Sequence, residues 1–404
     1  MNAKVKKMLH NPATSGVLIF MAAVAAMVVE NSSWRIHYDG FLNIPVVIQF
    51  GDLKIAKPLF LWINDGLMAV FFLLVGLELK REFLEGELSK PSNVILPVIG
   101  AVGGIILPAA IYSLLNRGNA AALEGWAIPT ATDIAFALGI LALLGQRVPA
   151  SLKLFLLTLA IVDDLAAIII IAIFYTNDLS AGSLMIASIA MGTLILMNRL
   201  GIKGISGYIL VGAILWVAVL KSGVHATLAG VALGFVIPLK GDPGEPSPLH
   251  QLEHDLHPVV SLGILPLFAF ANAGVSLQGL GPSVLLDPVP LGITLGLFLG
   301  KQIGVFGFVW AAIKTGLAKI PEGFTFGQLY GVALLCGVGF TMCLFISSLA
   351  FEHSGVMVIS GAPDAGSARL GILAGSILSG ILGYLILWSA LPKPRTERST
   401  SDHT

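Results

Sequence analysis

Leu156-Leu157-Thr158-Leu159-Ala160-Ile161-Val162-Asp163-Asp164-Leu165-Ala166-Ala167-Ile168-Ile169-Ile170 decides how this chain is read. Two consecutive aspartates sit mid-way along an apolar stretch, about 153–175, long enough to cross a bilayer, which takes about 20 residues. A charge at mid-bilayer costs about 2.5–3.5 kcal/mol on insertion scales, so such a pair needs a function to retain it. Neighbouring residues on a helix project about 100° apart, so both carboxylates reach adjoining sectors of one cavity. Two like charges this close cannot both ionise cheaply in a low dielectric, and they titrate as a coupled unit. Ionised, they are hard oxygen ligands that replace the hydration shell of a bare cation. One site then holds either protons or a cation, which is the chemical basis of counter-transport. The bland alternative is a buried acid pair neutralised by Lys or Arg.

Composition agrees with a membrane protein. Of 404 residues, 23 are basic and 23 acidic, 11% together, while 56% are hydrophobic. Ordinary soluble domains carry about a quarter charged residues. The mean hydropathy of +0.90 excludes a soluble domain and a disordered chain. The apolar runs are continuous and do not alternate, which excludes a β-barrel. The 46 glycines suit closely packed membrane helices. A net charge of zero gives no sign of nucleic-acid binding. Cys336 and Cys343 share one apolar stretch and read as small buried hydrophobes. Lys4-Val5-Lys6-Lys7 before Leu18 lacks a cleavage site and reads as the basic flank of a retained first span.

Twelve spans are expected in one domain over 1–404, an all-α polytopic membrane protein. They lie at roughly 13–30, 59–79, 94–115, 121–143, 153–175, 181–198, 205–220, 224–239, 258–278, 289–312, 327–350 and 369–391. With both termini cytoplasmic, sixteen Lys and Arg residues fall inside and six outside, the expected bias. The long outer loop at 31–58 carries two β-branched runs around Gly51-Asp52, read as a β-hairpin. An isolated hairpin is marginal in water, so residues 45–55 are expected to pair with a second copy in a homodimer. Lying on its own protein's surface is the alternative. Residues 392–404 read as a polar cytoplasmic tail.

Two more ionisable groups stay within spans. Asp133 stands in Pro129-Thr130-Ala131-Thr132-Asp133, where proline interrupts a helix and the polar side chains can bond freed backbone. Gly337 and Gly339, followed by Thr341, form a matching interruption in the eleventh span. Broken helices in both halves of the chain imply inverted repeats and a midplane site. If the breaks cross, half-helix ends of like sign face each other. Asp133 would balance the positive ends. Lys301 would balance the negative ends or pair with Asp163, and the sequence leaves both open.

The run Ala127-Ile128-Pro129-Thr130-Ala131-Thr132-Asp133-Ile134-Ala135-Phe136-Ala137, the pair Asp163-Asp164, and Leu265-Pro266-Leu267-Phe268-Ala269-Phe270-Ala271-Asn272-Ala273-Gly274 resemble the NhaA-type bacterial sodium/proton antiporters. These are among the transporters from which the inverted-repeat pattern is known. The resemblance implies an electrogenic antiporter of the bacterial inner membrane. It would expel Na⁺ or Li⁺, import more than one H⁺ per ion, and grow more active at alkaline pH. No cofactor and no enzymatic activity are implied, and no Gly-rich phosphate loop occurs. By this resemblance Asp163, Asp164, Asp133, Thr132 and Lys301 form the cation- and proton-binding site. Asp164 is the expected direct ligand, and Asp163 the proton carrier paired with Lys301. The family's pH-response cluster falls on Glu78, Arg81, Glu82, Glu253, His254 and His257, the last three placed before the ninth span. An ordinary charged membrane edge is the alternative for that cluster. His225 reads as a boundary histidine and Asp65 as a cap or hairpin contact. Glu124 and Trp126 mark the outer interface.

Three rival classes fit less well. An intramembrane aspartyl protease needs its aspartates on different helices. A proton-coupled carrier of an organic solute needs a more polar or aromatic lining. A passive cation channel needs no proton coupling.

Overall fold

The computed structural model describes residues 12–392 except 52, 177–178, 242–243, 280, 321–323 and 353–362. The basic flank at Lys4, Lys6 and Lys7, the Asp52 turn position and the polar tail from Lys393 lie outside the described residues. Helix α1 spans Pro12–Glu30, and the short α2 spans Arg35–Leu42. Strands β1, Pro45–Phe50, and β2, Leu53–Pro58, follow. The remaining helices are α3 (Leu59–Leu84), α4 (Pro91–Leu115), α5 (Ala120–Thr130), α6 (Ile134–Leu143), α7 (Ala150–Phe174), α8 (Ala181–Arg199), α9 (Ile205–Leu220), α10 (Thr227–Val236), α11 (Pro248–Ala273), α12 (Pro288–Lys314), α13 (Phe326–Leu335), α14 (Phe340–Glu352) and α15 (Pro363–Ala390).

This is a polytopic all-α membrane protein with one small sheet. Among the described residues, α1, α3, α4, α7, α8, α11, α12 and α15 are each long and apolar enough to cross a bilayer. The pairs α5–α6 and α13–α14 pass the same test jointly, each bent by 42°. Helices α9 and α10 are shorter apolar helices. All twelve sequence stretches are thus helical, and one bent pair lies in each half of the chain.

Glycine lets the helices touch through their backbones. A side chain on Gly76 or Gly234 would collide with the facing backbone of α10 or α3, so this pair packs closely. Gly103 and Gly304 do the same for α4 and α12, where each residue's missing Cβ is occupied by the other's carbonyl group. In a bilayer, such close approach takes the place of the hydrophobic drive.

Helix α11, the ninth expected span, starts earlier than expected. Ser247 accepts a bond from the His250 amide at 3.2 Å, and Pro248 follows in the first turn, where its missing N–H costs nothing. Glu253, His254 and His257 therefore lie on α11 itself. Hydropathy detects only the apolar part of a helix and misses a polar extension. The helix then runs through Pro258 into a π-type turn at Val260–Ile264. Other π-type turns occupy Trp62–Leu67, Gly296–Gly300 and Gln302–Phe306. The last two flank Lys301 directly. Single π turns are common at functional positions.

The hairpin has the expected two-residue turn, with Phe50 opposite Leu53 and Gly51 left-handed at φ +59°. It is tied to its own chain by Trp62 Nε1 donating to Val46 O at 3.2 Å and Lys221 Nζ donating to Lys54 O at 2.9 Å. Asp65 pairs with Lys57 at 2.7 Å and is indeed a hairpin contact.

Candidate functional site

The two helix breaks meet. The Asp133 amide donates to Val338 O at 2.7 Å, and Thr132 Oγ1 lies 2.8 Å from Cys336 O. Gly337 and Gly339 are required here by space as well as by flexibility. A Cβ on Gly339 would lie 2.8 Å from Ala131 O, and one on Gly337 would lie 2.5 Å from Ser379 Oγ. The N-termini of α6 and α14 face each other across the crossing, and both are capped by Asp133. Its Oδ1 accepts from the Phe136 amide at 2.9 Å. Its Oδ2 accepts from the Thr341 amide at 3.0 Å and from the Thr341 hydroxyl. One carboxylate thus balances two positive half-helix ends, in line with the sequence-based expectation.

Lys301 is fully buried and takes Asp163 as its partner. Its Nζ lies 2.6 Å from Asp163 Oδ2 and 3.1 Å from Thr132 Oγ1. Thr132 Oγ1 in turn lies 2.7 Å from the same carboxylate oxygen. The ammonium needs room, and Gly104 on α4 provides it: a Cβ there would lie 3.4 Å from Lys301 Nζ. Gly104 is a site residue that sequence reasoning does not single out. Its one signal is the Gly103-Gly104 pair inside a span.

Asp164, next in sequence, lies in different surroundings. It is 97% buried, yet its Oδ1 has no hydrogen-bond partner. It lines a cavity of about 130 Å³ together with Asp133, Thr341, Glu78, His257, Ser15 and Ser261. Asp163 and Lys301 do not line that cavity. One helical step therefore separates a carboxylate held by a cation from one presented to open space. The cavity runs from the helix crossing toward the end of the protein opposite the hairpin. Toward the hairpin, the rings of Phe72 and Phe268 pack on Phe345 at 5.3 and 6.3 Å. Nearer still to the hairpin, the buried amides of Asn64 and Asn272 bond reciprocally at 3.3 and 2.8 Å. The site is open on one side and packed shut on the other.

The expected pH-response residues are only partly assembled. Glu78 and His257 line the cavity. Arg81 bonds both Glu253 oxygens at 3.1 Å and Glu82 at 2.6 Å, forming a charged cluster between α3 and α11. The His254 side chain is 73% exposed beside Asp255.

Known proteins share this sequence along its length. The family description "Na+/H+ antiporter 1" matches residues 6–387. A Na⁺/H⁺ antiporter NhaA 2 of Magnetococcus marinus is 81% identical over 98% of this chain and 100% of its own length. A Na⁺/H⁺ antiporter NhaA of Pseudomonas fluorescens is 59% identical over 94% and 95%. One of Aeromonas hydrophila is 58% identical over 99% of each chain.

Proposed function

This chain belongs to the Na⁺/H⁺ antiporter 1 family, and on that premise we propose that it exports Na⁺ or Li⁺ in exchange for protons at the Asp163–Asp164 site. The observation that supports the reading best is the division of labour between these neighbours. Asp164 offers an unpartnered carboxylate oxygen to a cavity, while Asp163 is neutralised by Lys301. A cation entering from the Glu78 and His257 side meets Asp164 first, with Asp133 and Thr341 supplying further oxygens. Occupation by Na⁺ requires an ionised Asp164, so protons compete with it. The Lys301–Asp163 pair carries the second proton when it separates and reforms. More than one proton then moves per cation, and transport is electrogenic. Acting in the opposite sense on each side of the membrane, this competition drives exchange once access alternates. The closed aromatic and amide layers toward the hairpin are what must part.

The same reading places the protein in the bacterial inner membrane with both termini cytoplasmic. The cavity mouth then faces the cytoplasm, and the Glu78, Arg81, Glu82, Glu253 and His257 group raises activity as the cell alkalinises. The hairpin at 45–55 joins two copies. Na⁺-driven proton release from proteoliposomes, followed across pH and membrane voltage, tests the proposal. Exchange that quickens with a voltage of the right sign supports it. Na⁺ flux with no proton movement refutes it and describes a channel instead.

A further inference from the structure

A second cavity, of about 990 Å³, opens on the lipid-facing surface between α1, α6 and α15. Its walls include Phe20, Val24, Ile377 and Ile381, and its floor holds Phe136 and Phe340. A cavity so apolar does not hold water. Left empty, its walls would forfeit the dispersion contacts that close packing provides. At bilayer depth, the filler to hand is an acyl chain.

The charges at its two ends give the occupant a direction. Toward the hairpin, Asn31 is fully used: its Nδ2 donates to Met27 O and Val275 O, each at 2.8 Å, and its Oδ1 accepts from the Leu277 amide at 2.7 Å. The nearby Arg35 is neutralised by Glu30 at 3.2 Å and Asp39 at 3.6 Å. The other end differs. One turn beyond the lining residues Leu143 and Tyr384 stand Arg147 and Trp388. The Arg147 guanidinium lies 5.8 Å from the indole centroid. Its Nε and Nη2 donate to the carbonyls of Pro392, Trp388 and Leu391. No carboxylate among the described residues pairs with it. A tryptophan and an arginine at a span end mark headgroup level.

We propose that this groove binds an anionic glycerophospholipid of the surrounding bilayer, with its acyl chains along α1 and α15 and its phosphate at Arg147 and Trp388. The chains would lie against Phe136 and Phe340, in the first turns beyond the two helix breaks. The Phe136 amide is one of those held by Asp133, and the Phe340 amide is held by Ser376 Oγ at 3.2 Å. The bound lipid therefore braces the helix crossing from behind. Binding itself does not depend on the antiport reading; only this influence on the crossing does.

Native mass spectrometry of detergent-purified protein, offered equal amounts of dioleoyl phosphatidylglycerol and dioleoyl phosphatidylcholine, tests the binding. The wild-type chain should retain phosphatidylglycerol in preference. Arg147→Gln should reduce that preference about fivefold, the strength of one basic residue toward an anionic lipid. Arg147→Lys should keep it. Ile381→Trp fills the groove at an exposed position and should lower retention of both lipids. Equal retention of the two lipids by the wild type, or Arg147→Gln and Ile381→Trp variants that bind as the wild type does, would overturn the proposal. Disulfide capture of a second copy through Val24→Cys in native membranes would overturn it in favour of a protein–protein contact. Stronger lipid binding after deletion of residues 1–11 would overturn it in favour of that segment. A wild-type chain that binds lipid as expected but exchanges no Na⁺ for protons would count only against the antiport reading.

Discussion

Lys301 Nζ sits 2.6 Å from Asp163 Oδ2 inside the protein, and neither residue borders the cavity that reaches Asp164. A buried pair of this kind is costly to break from one side, because the surviving charge has lost its partner. Removing one member typically costs about 3–5 kcal/mol. Asp163→Asn or Lys301→Gln alone should therefore lower the thermal unfolding temperature sharply. The double variant should recover much of the loss, since two neutral amides of similar volume need no ionic partner. Scanning fluorimetry on the three variants checks this. Equal instability of the double and single variants would show that the pair is not an isolated electrostatic unit. If the pair also carries a proton, the double variant should transport with one proton fewer and lose its voltage dependence.

Asp164 has the opposite circumstance: it faces open space and takes no part in the Lys301 pair. Asp164→Asn keeps the volume and removes the charge, so it should abolish Na⁺-dependent proton flux without a large change in stability. In the wild type, competition fixes the sign of the pH effect. Where the site is protonated, each proton displaced should weaken apparent Na⁺ affinity about tenfold per unit fall in pH. Flux measurements at a series of Na⁺ concentrations and pH values read both. A Na⁺ half-saturation concentration that does not move with pH would remove the competition.

Much of this architecture is legible in the residues themselves. Hydropathy integrates over a whole span, so all twelve stretches stand out, though the start of α11 is missed by about three turns. Pro129 announces one helix break, and Gly337 with Gly339 the other. Asp133 is readable as the balancing charge because like helix ends repel. The partner of Lys301 is not readable. That contact depends on how closely α4 and α12 approach at Gly103 and Gly304, and on the space left by Gly104. Such distances are properties of packing, and no local pattern encodes them. The polar first turns of α11 escape notice because a helix beyond the apolar layer has no hydropathy signal. The same gap makes His254 and His257 look equivalent in sequence.

The structure separates those two histidines. Both are exposed, but His257 lines the cavity while His254 stands beside Asp255. An imidazole titrates near neutral pH, and its protonated form beside the cation path opposes Na⁺ entry. His257→Gln removes that opposition on the acid side. The transport profile of this variant should shift to lower pH by about one unit, a typical size for a nearby charge. His254→Gln should leave the profile in place. Profiles of the two single variants decide the point, and a shift caused by His254 alone would reverse the assignment.

The glycine contact under Lys301 can be tested with its own control. Gly304→Ala forces a methyl group into the backbone of α4, whereas Gly307→Ala, on the same helix, meets open space. Overpacking of this sort costs about 1–3 kcal/mol. Gly304→Ala should therefore destabilise the protein and slow transport by displacing Lys301 from Asp163. Gly307→Ala should do neither. Thermal unfolding and flux assays on both variants check the contrast, and equal effects would show that the α4–α12 contact is not specially tight.

The hairpin offers the last test. Val47 and Ile48 on β1 are 51% and 55% exposed, an apolar surface standing outside the bundle. The hairpin's ties to its own chain, through Trp62, Asp65 and Lys221, hold it in place but leave that surface open. Pairing with a second copy would cover it, because an unpaired strand edge readily accepts another strand. Deleting residues 45–55 should therefore convert dimers to monomers in light scattering after size exclusion. Transport per chain should persist, since Asp133, Asp163, Asp164 and Lys301 all belong to helices that the deletion leaves untouched. Dimers that survive the deletion would assign the contact to another face. Loss of transport in stable monomers would mean that the hairpin also steadies α3, through Lys57 and Asp65, against the motion that opens the site.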